Sequence, residues 1–446
     1  MKKSIIAGSV VAVLALGYIG ASWYTGNVIQ KQFDEKIVQL TEKINTNKAL
    51  FNLDIQYSDY NKGIFSTSFH LEVVELNSKE ILFNDDVMIY HGPFPWNNIK
   101  SADFSPKMAV VYAQLSQQTN KELWQAAGNK PFATINIDVD YSQNTQLVIN
   151  NEQLNYRDQS DRLIWQITPN TLFASIDNNY HDISLESQIA QLQLYNIYGQ
   201  VVTFNKMDYT GHFSSQDYIN FQGTQNITLE NIAIQDDIQS EQIVNLNQVS
   251  VTASSEKQSD NQAHKWSLTA NKIMLGQQDL GQGEIESSYS IKDDEIGNKT
   301  LNIALEKLRL QNQQGNLDAA FKLSLMGDSL AFDQLYEGNV SLMEANANLP
   351  LQPLTYLVAQ IAKPNQPTPD EKDLLSAQQS IMLISQLLLA NYPFAQVNMY
   401  EQDDTQNGIS IDLYYSSEEK QARLKGQQVT PEQFWHKLEK NRLPRF

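Results

Sequence analysis

Histidine residues are the first candidates for metal binding or catalysis in this chain. It has six, and they lie far apart along the sequence, at His70, His91, His181, His212, His264 and His436. None is spaced like the His-x-His or His-Glu-x-x-His pairs that place two ligands beside one metal ion. We therefore predict no metal-binding residue and no cofactor-binding residue.

Paired acidic residues are the second candidates, at Asp85-Asp86, Asp236-Asp237, Asp293-Asp294 and Asp403-Asp404. The last pair, with Gly408, has some features of a calcium loop. However, Thr405 stands where an acid or amide is needed, and Tyr414 stands where the closing glutamate is needed. We interpret all four pairs as solvated loop charges.

The motifs of the common catalytic classes are absent from the sequence. It has no Gly-x-Ser-x-Gly elbow, no phosphate-binding glycine loop and no dinucleotide fingerprint. It also has no cysteine, which excludes thiol nucleophiles, cysteine metal sites and disulfides. We predict a non-enzymatic protein with no catalytic residue. A hydrolase whose site is assembled only on folding remains an alternative.

The charge balance excludes one class of partner. The 446 residues include 32 basic and 51 acidic side chains, for a net charge of −19. Such a surface repels the phosphate backbone of nucleic acids, so we predict no nucleic-acid partner.

The N-terminal segment predicts a membrane anchor. Residues 4–30 contain no ionisable acid or base, and residues 5–24 are dense in apolar side chains. About 20 apolar residues in a helix span the roughly 30 Å hydrocarbon layer. Lys2 and Lys3 precede the segment and Trp23-Tyr24 ends it, which favours a cytoplasmic N-terminus and an aromatic contact with the far head groups.

We therefore predict a single-pass inner-membrane protein that contacts the membrane through residues 4–24 and places its bulk in the periplasm. A cleaved signal peptide is the alternative, because Gly20-Ala21-Ser22 offers small residues of the kind a signal peptidase accepts.

The remainder of the chain is predicted to be rich in β-strands. Residues 27–50, which follow the anchor at 1–26, have apolar positions at helical spacing and predict a juxtamembrane helix. Residues 51–350 contain roughly a dozen stretches in which apolar and polar residues alternate, such as Thr134 to Tyr141, and this alternation is typical of antiparallel sheet.

Helices are predicted at three further places. Residues 105–128 predict a helical insertion in the β-rich body, and residues 351–391 predict a helical segment. Within the latter, Thr368-Pro369-Asp370-Glu371 predicts the start of a helix. Its predicted buried face comprises Leu374, Ala377, Ile381, Ile384 and Leu388. Residues 392–446 predict closing strands and a C-terminal helix that begins at the capping box Thr430-Pro431-Glu432-Gln433.

The predicted fold class is thus α+β. A transmembrane helix precedes a long curved antiparallel sheet, which a few helices cover.

Three segments together suggest a family. They are Trp23-Tyr24-Thr25-Gly26, then Tyr60 to Thr67 with Gly63 at its centre, then Tyr90-His91-Gly92-Pro93-Phe94-Pro95. In this order the chain resembles the YdgA-like family of bacterial inner-membrane-anchored proteins, whose function is unknown. The resemblance implies the same anchor and β-rich body, and it offers no catalytic residues. From the residues themselves, we predict that Gly63 takes a positive φ in a turn and that Gly92-Pro93 ends a strand.

Two binding functions are consistent with these observations. The first, which is our leading interpretation, is a membrane-tethered periplasmic protein that binds another envelope component in a scaffold or interaction role. The second is a lipid-binding or lipid-transfer protein with an apolar groove along the sheet. The predicted helices are too few to cover the apolar side of a dozen strands, and a large exposed apolar face normally meets a partner. The sheet is therefore expected to curl on itself, to pair with a second copy as a homodimer, or to hold lipid.

Overall fold

A computed structural model describes most of the chain beyond the N-terminal segment. The described residues are 35, 37, 38, 41, 42, 45, 52–91, 94–95, 104–178, 181–214, 222–236, 242–258, 261–293, 299–327, 338–392, 394–398 and 407–440. Within these ranges, no helix is long and apolar enough to cross a membrane. The predicted anchor at residues 1–26 lies outside the described residues.

The chain divides into two compact units. The first comprises Met1–Ile197 with Asn205–Phe221, and the second comprises Tyr198–Phe204 with Gln222–Phe446. The strand β11 (Gln200–Ser214) belongs in part to each.

The first unit is an antiparallel sheet in which β1, β2, β3, β4, β5, β6, β9 and β10 pair in that order. The short strands β7 and β8 form a hairpin that pairs with the far end of β10. The strand bounds are Leu53–Lys62, Ser66–Glu75, Glu80–His91, Ala109–Leu115, Ala133–Val139, Thr145–Asn151, Leu154–Arg157, Leu163–Ile167, Asn170–Ile176 and Asp182–Tyr195 for β1 to β10.

The core of the first unit follows from the alternation of apolar residues along its strands. Leu71 and Val73 of β2 and Ile137 of β5 are fully buried because every second side chain of a strand points to the same face. Ile37, one of the described helical residues of the predicted juxtamembrane helix, is buried in the same core. The Asn45 side chain then accepts a hydrogen bond from the Leu53 amide and donates one to the Leu53 carbonyl, both at 2.7 Å.

The second unit is also an antiparallel sheet, with β12 to β18 paired in chain order. β18 pairs with β20, which also pairs with β19 and β21, and β21 pairs with β22. The bounds are Gln222–Asp236, Gln242–Gln258, Asn261–Leu275, Gln278–Asp293, Lys299–Asn312, Gly315–Gly327, Val340–Pro350, Ala395–Asn398, Gly408–Ser416, Gln421–Leu424 and Gln427–Val429 for β12 to β22. The predicted class, mainly antiparallel sheet with few helices, is confirmed at this level.

Four helices are defined in the described part of the chain: α1 (Lys121–Ala126), α2 (Leu351–Ala362), α3 (Glu371–Asn391) and α4 (Pro431–Lys440). The capping box predicted for the last is present. The Gln433 amide donates to Thr430 Oγ1, and the Thr430 amide donates to Gln433 Oε1, both at 3.2 Å. This exchange satisfies two amides at the point where the helix begins.

The helical insertion predicted at residues 105–128 is largely wrong. The structure has the strand β4 there and only the short helix α1, which Asn120 caps by accepting a hydrogen bond from the Leu123 amide. β4 lies between β3 and β5, and both of its faces are covered at its first residues, where Val110 and Val111 are buried. A short strand covered on both faces shows an unbroken apolar run, which periodicity cannot distinguish from a helix.

The helix α3 differs from its prediction at both its start and its buried face. It begins at Glu371, and Asp370 rather than Thr368 accepts the capping hydrogen bond, from the Asp373 amide at 2.8 Å. Ala377 and Ile381 are buried as predicted, but Ile384 is 53% exposed. Ser385 is buried in its place, and the Leu388 side chain lies outside the described part.

The two isoleucines of α3 test this assignment. Ile381 packs against Leu351 and Ile409, so Ile381→Ala should reduce the free energy of unfolding by about 2–5 kcal/mol, the usual cost of emptying a buried aliphatic site. Ile384→Ala is the matched control on the same helix and should change the free energy of unfolding by less than about 0.5 kcal/mol. Chemical denaturation of the two variants measures both values, and equal losses would contradict the assignment.

Candidate ligand-binding face

The sheet of the second unit has two chemically different faces. In an antiparallel pair, residues directly opposite each other place their side chains on the same face. The register therefore gives cross-strand rows that alternate in character. One such row runs Ile227, Val251, Leu268, Ile285 and Leu308, and the next runs Thr228, Ser250, Thr269, Glu284 and Arg309.

The polar face is held by hydrogen bonds and ion pairs between neighbouring strands. Arg309 Nε lies 2.5 Å from Asp318 Oδ1, and Lys307 Nζ lies 2.6 Å from Glu284 Oε2. The hydrogen bond from Lys307 lowers the pKa of Glu284, and the bond to Asp318 raises the pKa of Arg309. This face is therefore suited to water.

A small groove of about 310 Å³ lies on the polar side of β14 to β18, and its polar lining includes Ser288, Ser290, Asn302, Glu306, Lys322 and Ser324. Ser324 Oγ donates to Asn302 Oδ1 at 2.6 Å, and Asn302 Nδ2 donates to Ser290 Oγ at 3.1 Å. Ser288 Oγ donates to the exposed Glu306 carboxylate at 3.0 Å. An activated hydroxyl requires a base that a third group orients, whereas these contacts satisfy the side chains of the sheet surface.

The apolar face is covered by helices in two places. At one, Leu351 of α2 and Ile381 of α3 pack against a row that contains Leu349, Ile409 and Val397. At the other, Phe434 and Trp435 of α4 pack against β17, β18, β20 and β21. The ring of Phe434 stacks on Tyr415 with centroids 5.2 Å apart.

Buried amide side chains fix α2 to the turns of the sheet. Gln360 Nε2 donates to the Asp279 carbonyl at 2.6 Å, and Gln278 Nε2 donates to the Lys363 carbonyl at 3.1 Å. Asn312 Nδ2 donates to the Pro353 carbonyl at 2.9 Å. Gly281 stands beside this contact with φ +102°, where a Cβ would come within 1.9 Å of the Gln311 carbonyl oxygen, so glycine is required there.

Away from the two covered places, part of the apolar face of β12 to β16 is exposed to solvent in the described part of the unit, whereas the row of Leu229, Val249 and Ala270 on the same face is buried. We call the exposed part the open apolar face. It comprises Ile227, Val251, Trp266, Leu268, Ile285, Tyr289, Leu305 and Leu308. Trp266 is 41%, Leu308 41% and Tyr289 43% exposed, and the others are half-buried. The chemistry this surface supports is the binding of an apolar group.

The acidic pairs considered in the sequence do not form one site. Asp403 and Asp404 lie outside the described residues, as do Asp237 and Asp294. Asp85 is not a solvated loop charge, which corrects that prediction. It is buried in β3, and it accepts hydrogen bonds from the Ser116 amide at 2.7 Å, the Ser116 hydroxyl, and Thr119 Oγ1 at 2.5 Å. Asp86 beside it is exposed but also lies in β3, and Asp236 and Asp293 are the last residues of β12 and β15, so none of the described members lies in a loop.

The two family motifs in the first unit lie side by side. Ser66 pairs with Tyr90, and the His91 amide donates to the Phe65 carbonyl at 3.1 Å. Gly63 does not have the positive φ that we predicted. It is needed because a Cβ would lie 2.9 Å from the Ser66 carbonyl oxygen, which accepts a hydrogen bond from the Gly63 amide at 2.7 Å. The motifs therefore shape a hairpin and the strand beside it.

Comparison with known proteins decides the family. The profile of a family of bacterial proteins of unknown function, DUF945, matches residues 1–291. This chain belongs to that family. Over 300 residues it is 27% identical to Protein YdgA of Escherichia coli K12, a match that covers 64% of this chain and 59% of YdgA. The resemblance predicted from the sequence is confirmed.

Two further relatives match shorter parts of the chain. It is 26% identical over 134 residues to the uncharacterized protein YihF of Escherichia coli K12, which covers 28% of each chain. It is 23% identical over 193 residues to an uncharacterized protein of Haemophilus influenzae, covering 40% of this chain and 53% of the relative. The matches thus span less than two thirds of each of these relatives. No solved structure matches the chain.

The two adjacent aspartates of β3 give a direct test of the buried carboxylate. Asp85→Ala should lower the free energy of unfolding by about 3 kcal/mol, because it leaves the Ser116 and Thr119 donors without their charged acceptor. Asp86→Ala removes an exposed carboxylate that lies 2.9 Å from His70 Nδ1. It should lower the free energy of unfolding by less than about 1 kcal/mol. Denaturation curves compare the two, and a smaller loss for Asp85→Ala would refute the role of this carboxylate.

The first unit also predicts opposite pKa shifts for two histidines. The hydrogen bond to Asp86 raises the pKa of His70 above its ordinary value of 6.5, and burial lowers the pKa of His91 below 6.5. His91 therefore contributes stability above pH 6.5 that is lost as the pH falls, whereas the His70 contribution is present below pH 6.5 and is lost as the pH rises. NMR titration of the ring protons should give midpoints on opposite sides of 6.5. Asp86→Asn should lower the His70 midpoint and leave that of His91 unchanged.

Proposed function

We propose that this protein is a non-enzymatic envelope protein, tethered to the inner membrane, whose second unit binds the acyl chain of a lipid on its open apolar face. The open apolar face is the observation that carries the proposal. Lipid binding is the second of the two binding functions that the sequence leaves open. The exposure of Trp266, Tyr289 and Leu308 favours lipid binding over a scaffold whose apolar face is fully covered.

The dimensions of the face suit an acyl chain. The row from Ile227 to Leu308 crosses five strands, which at a strand spacing of about 4.8 Å is roughly 19 Å. One leaflet of a bilayer core is about 15 Å thick, which is the length of the chains that it contains. Each methylene group that becomes fully buried on this row would contribute about 0.8 kcal/mol.

The chemistry of the surroundings also favours an uncharged chain. The apolar rows carry no ion pair among the described residues, while the opposite face is crossed by the pairs of Arg309 and Lys307. A ligand held by its hydrocarbon part needs no cluster of basic side chains. The net charge of −19 would oppose a site built for an anionic head group alone.

The membrane anchor is the second part of the proposal. Residues 4–24 would cross the inner membrane as a single helix, with Lys2 and Lys3 in the cytoplasm and the bulk of the chain in the periplasm. The sheet would curve around its apolar face so that the bound chain is shielded from water, because antiparallel sheets twist readily.

Neighbouring residues on β14 provide the test. Leu268 points to the apolar face and Thr269 to the polar face, and both are half-buried. Leu268→Gln places a polar amide under the acyl chain and should weaken binding of a fluorescent fatty acid by about tenfold or more, since burial of a leucine side chain is worth about 1.5–3 kcal/mol. Thr269→Gln is the matched control and should bind as the unchanged protein does.

Native mass spectrometry of the full chain supplies the second measurement. A mass increment of one lipid, lost in Leu268→Gln and kept in Thr269→Gln, is expected. A lipid-free monomer that binds no fatty acid would refute the proposal. A lipid-free dimer that Leu268→Gln dissociates would replace the lipid with a second copy of the chain.

A further inference from the structure

The order of strands in the first unit brings three connections to one end of its sheet. Successive strands run in opposite directions, so every second connection falls at the same end. The turn after β1, the connection after β3 and the turn after β5 share one end. The turn after β2, at residues 76–79, lies at the other.

This shared end carries exposed apolar side chains from all three connections. Ile64 is 84% and Phe65 72% exposed in the first turn, Phe94 and Phe104 are 52% and 66% exposed after β3, and Tyr141 is 47% exposed after β5. We call these five residues the apolar rim. Single exposed apolar residues are common, but a group of them at one end of a sheet is typical of a binding surface.

The N-terminal part of the chain indicates which partner. Ile37 is buried in the core of the first unit, and the Asn45 side chain is bonded to Leu53, where β1 begins. The start of β1 lies at the end of the sheet opposite the rim. Ile37 therefore packs on the core of the first unit, and Asn45, eight residues later, lies beside the start of β1 at the end opposite the rim.

The length of the chain before Glu35 sets a limit on distance. Ten residues, 25–34, separate Glu35 from the apolar segment that ends at Tyr24. Even fully extended, they reach about 36 Å. If the apolar segment lies in a bilayer, the first unit cannot leave the vicinity of that bilayer.

We infer that the apolar rim docks into the surface layer of the same membrane that holds the N-terminal segment. The inference rests on the tether proposed above and is independent of the acyl-chain site. Ile64 and Phe65 stand at the tip of a hairpin that the bond from the His91 amide to the Phe65 carbonyl holds in place. They enter the interface between head groups and acyl chains, where aromatic and aliphatic side chains are favoured.

The charges at this end are compatible with a lipid surface. Asp138 at the end of β5 is paired with Lys107, whose Nζ lies 3.3 Å from Asp138 Oδ2. Lys62 precedes the hairpin tip and adds a positive charge near the head groups. Asp140, next to Tyr141, accepts hydrogen bonds from the Asn144 amide at 2.9 Å and from Asn144 Nδ2 at 3.0 Å. Contact is therefore made through apolar side chains, despite the acidic balance of the whole chain.

The absence of cysteine permits a direct experiment on the full chain. Single cysteines are introduced as Ala12→Cys in the apolar segment, Phe65→Cys in the rim and Ser78→Cys in the turn at the opposite end of the sheet. Each is labelled with an environment-sensitive fluorophore in detergent and then reconstituted into phosphatidylcholine vesicles, and quenching by spin-labelled lipid is measured. Ile64→Cys provides a second rim position in case Phe65→Cys disturbs the hairpin.

The expected result is blue-shifted emission and quenching by lipid at Ala12→Cys and at both rim positions, with water-like emission and no quenching at Ser78→Cys. Quenching at Ala12→Cys with water-like emission at both rim positions would overturn the docking and leave the tether intact. Water-like emission at Ala12→Cys would overturn the tether and the docking together. Fatty-acid binding by the same labelled proteins reports separately on the acyl-chain site, so its failure cannot be confused with either result.

Discussion

A long antiparallel sheet of alternating apolar and polar residues cannot present both faces to water at equal cost, and this constraint governs the second unit. Its polar face is covered by ion pairs and hydroxyl contacts such as Thr252 with Ser267. Its apolar face is covered by α2 and α3 at one place and by α4 at another. The amides of Gln278, Gln360 and Asn312 fix α2 at the turns, so it covers only the part of the face beside them. The remainder of the face consequently depends on something other than the described helices.

Several features of this fold follow from local chemistry, and these could be predicted from the sequence. Alternation identifies the strands because a sheet with one wet face imposes a period of two. The capping box at Thr430 is correct because its two partners lie within one turn of the helix. The predictions are wrong where contacts with distant parts of the chain determine the local structure. β4 is covered on both faces, and α3 begins at Glu371, so that Asp370 rather than Thr368 caps it.

The candidate site could be identified only from the strand register together with the alternation of apolar and polar residues. Alternation indicates that each strand has an apolar side, but not which residues of adjacent strands stand opposite one another. An irregularity between Glu286 and Ser287 shifts the pairing of β15 with β16, and this shift brings Leu308 opposite Ile285. The buried role of Asp85 could not be predicted either, because its partners Ser116 and Thr119 follow about thirty residues later.

The chain-order pairing of β12 to β18 has a consequence for how the molecule forms. Each of these strands finds its partner in the hairpin immediately before it, so the sheet can grow one strand at a time as the polypeptide is synthesised from its N-terminus. β20 is different, because it pairs with β18 only after α2 and α3 have been made. Until then β18 has one edge whose amide and carbonyl groups are unpaired, and such an edge can add a strand from another molecule. The late arrival of β20 therefore makes β18 a point at which a newly made chain is exposed to misassembly.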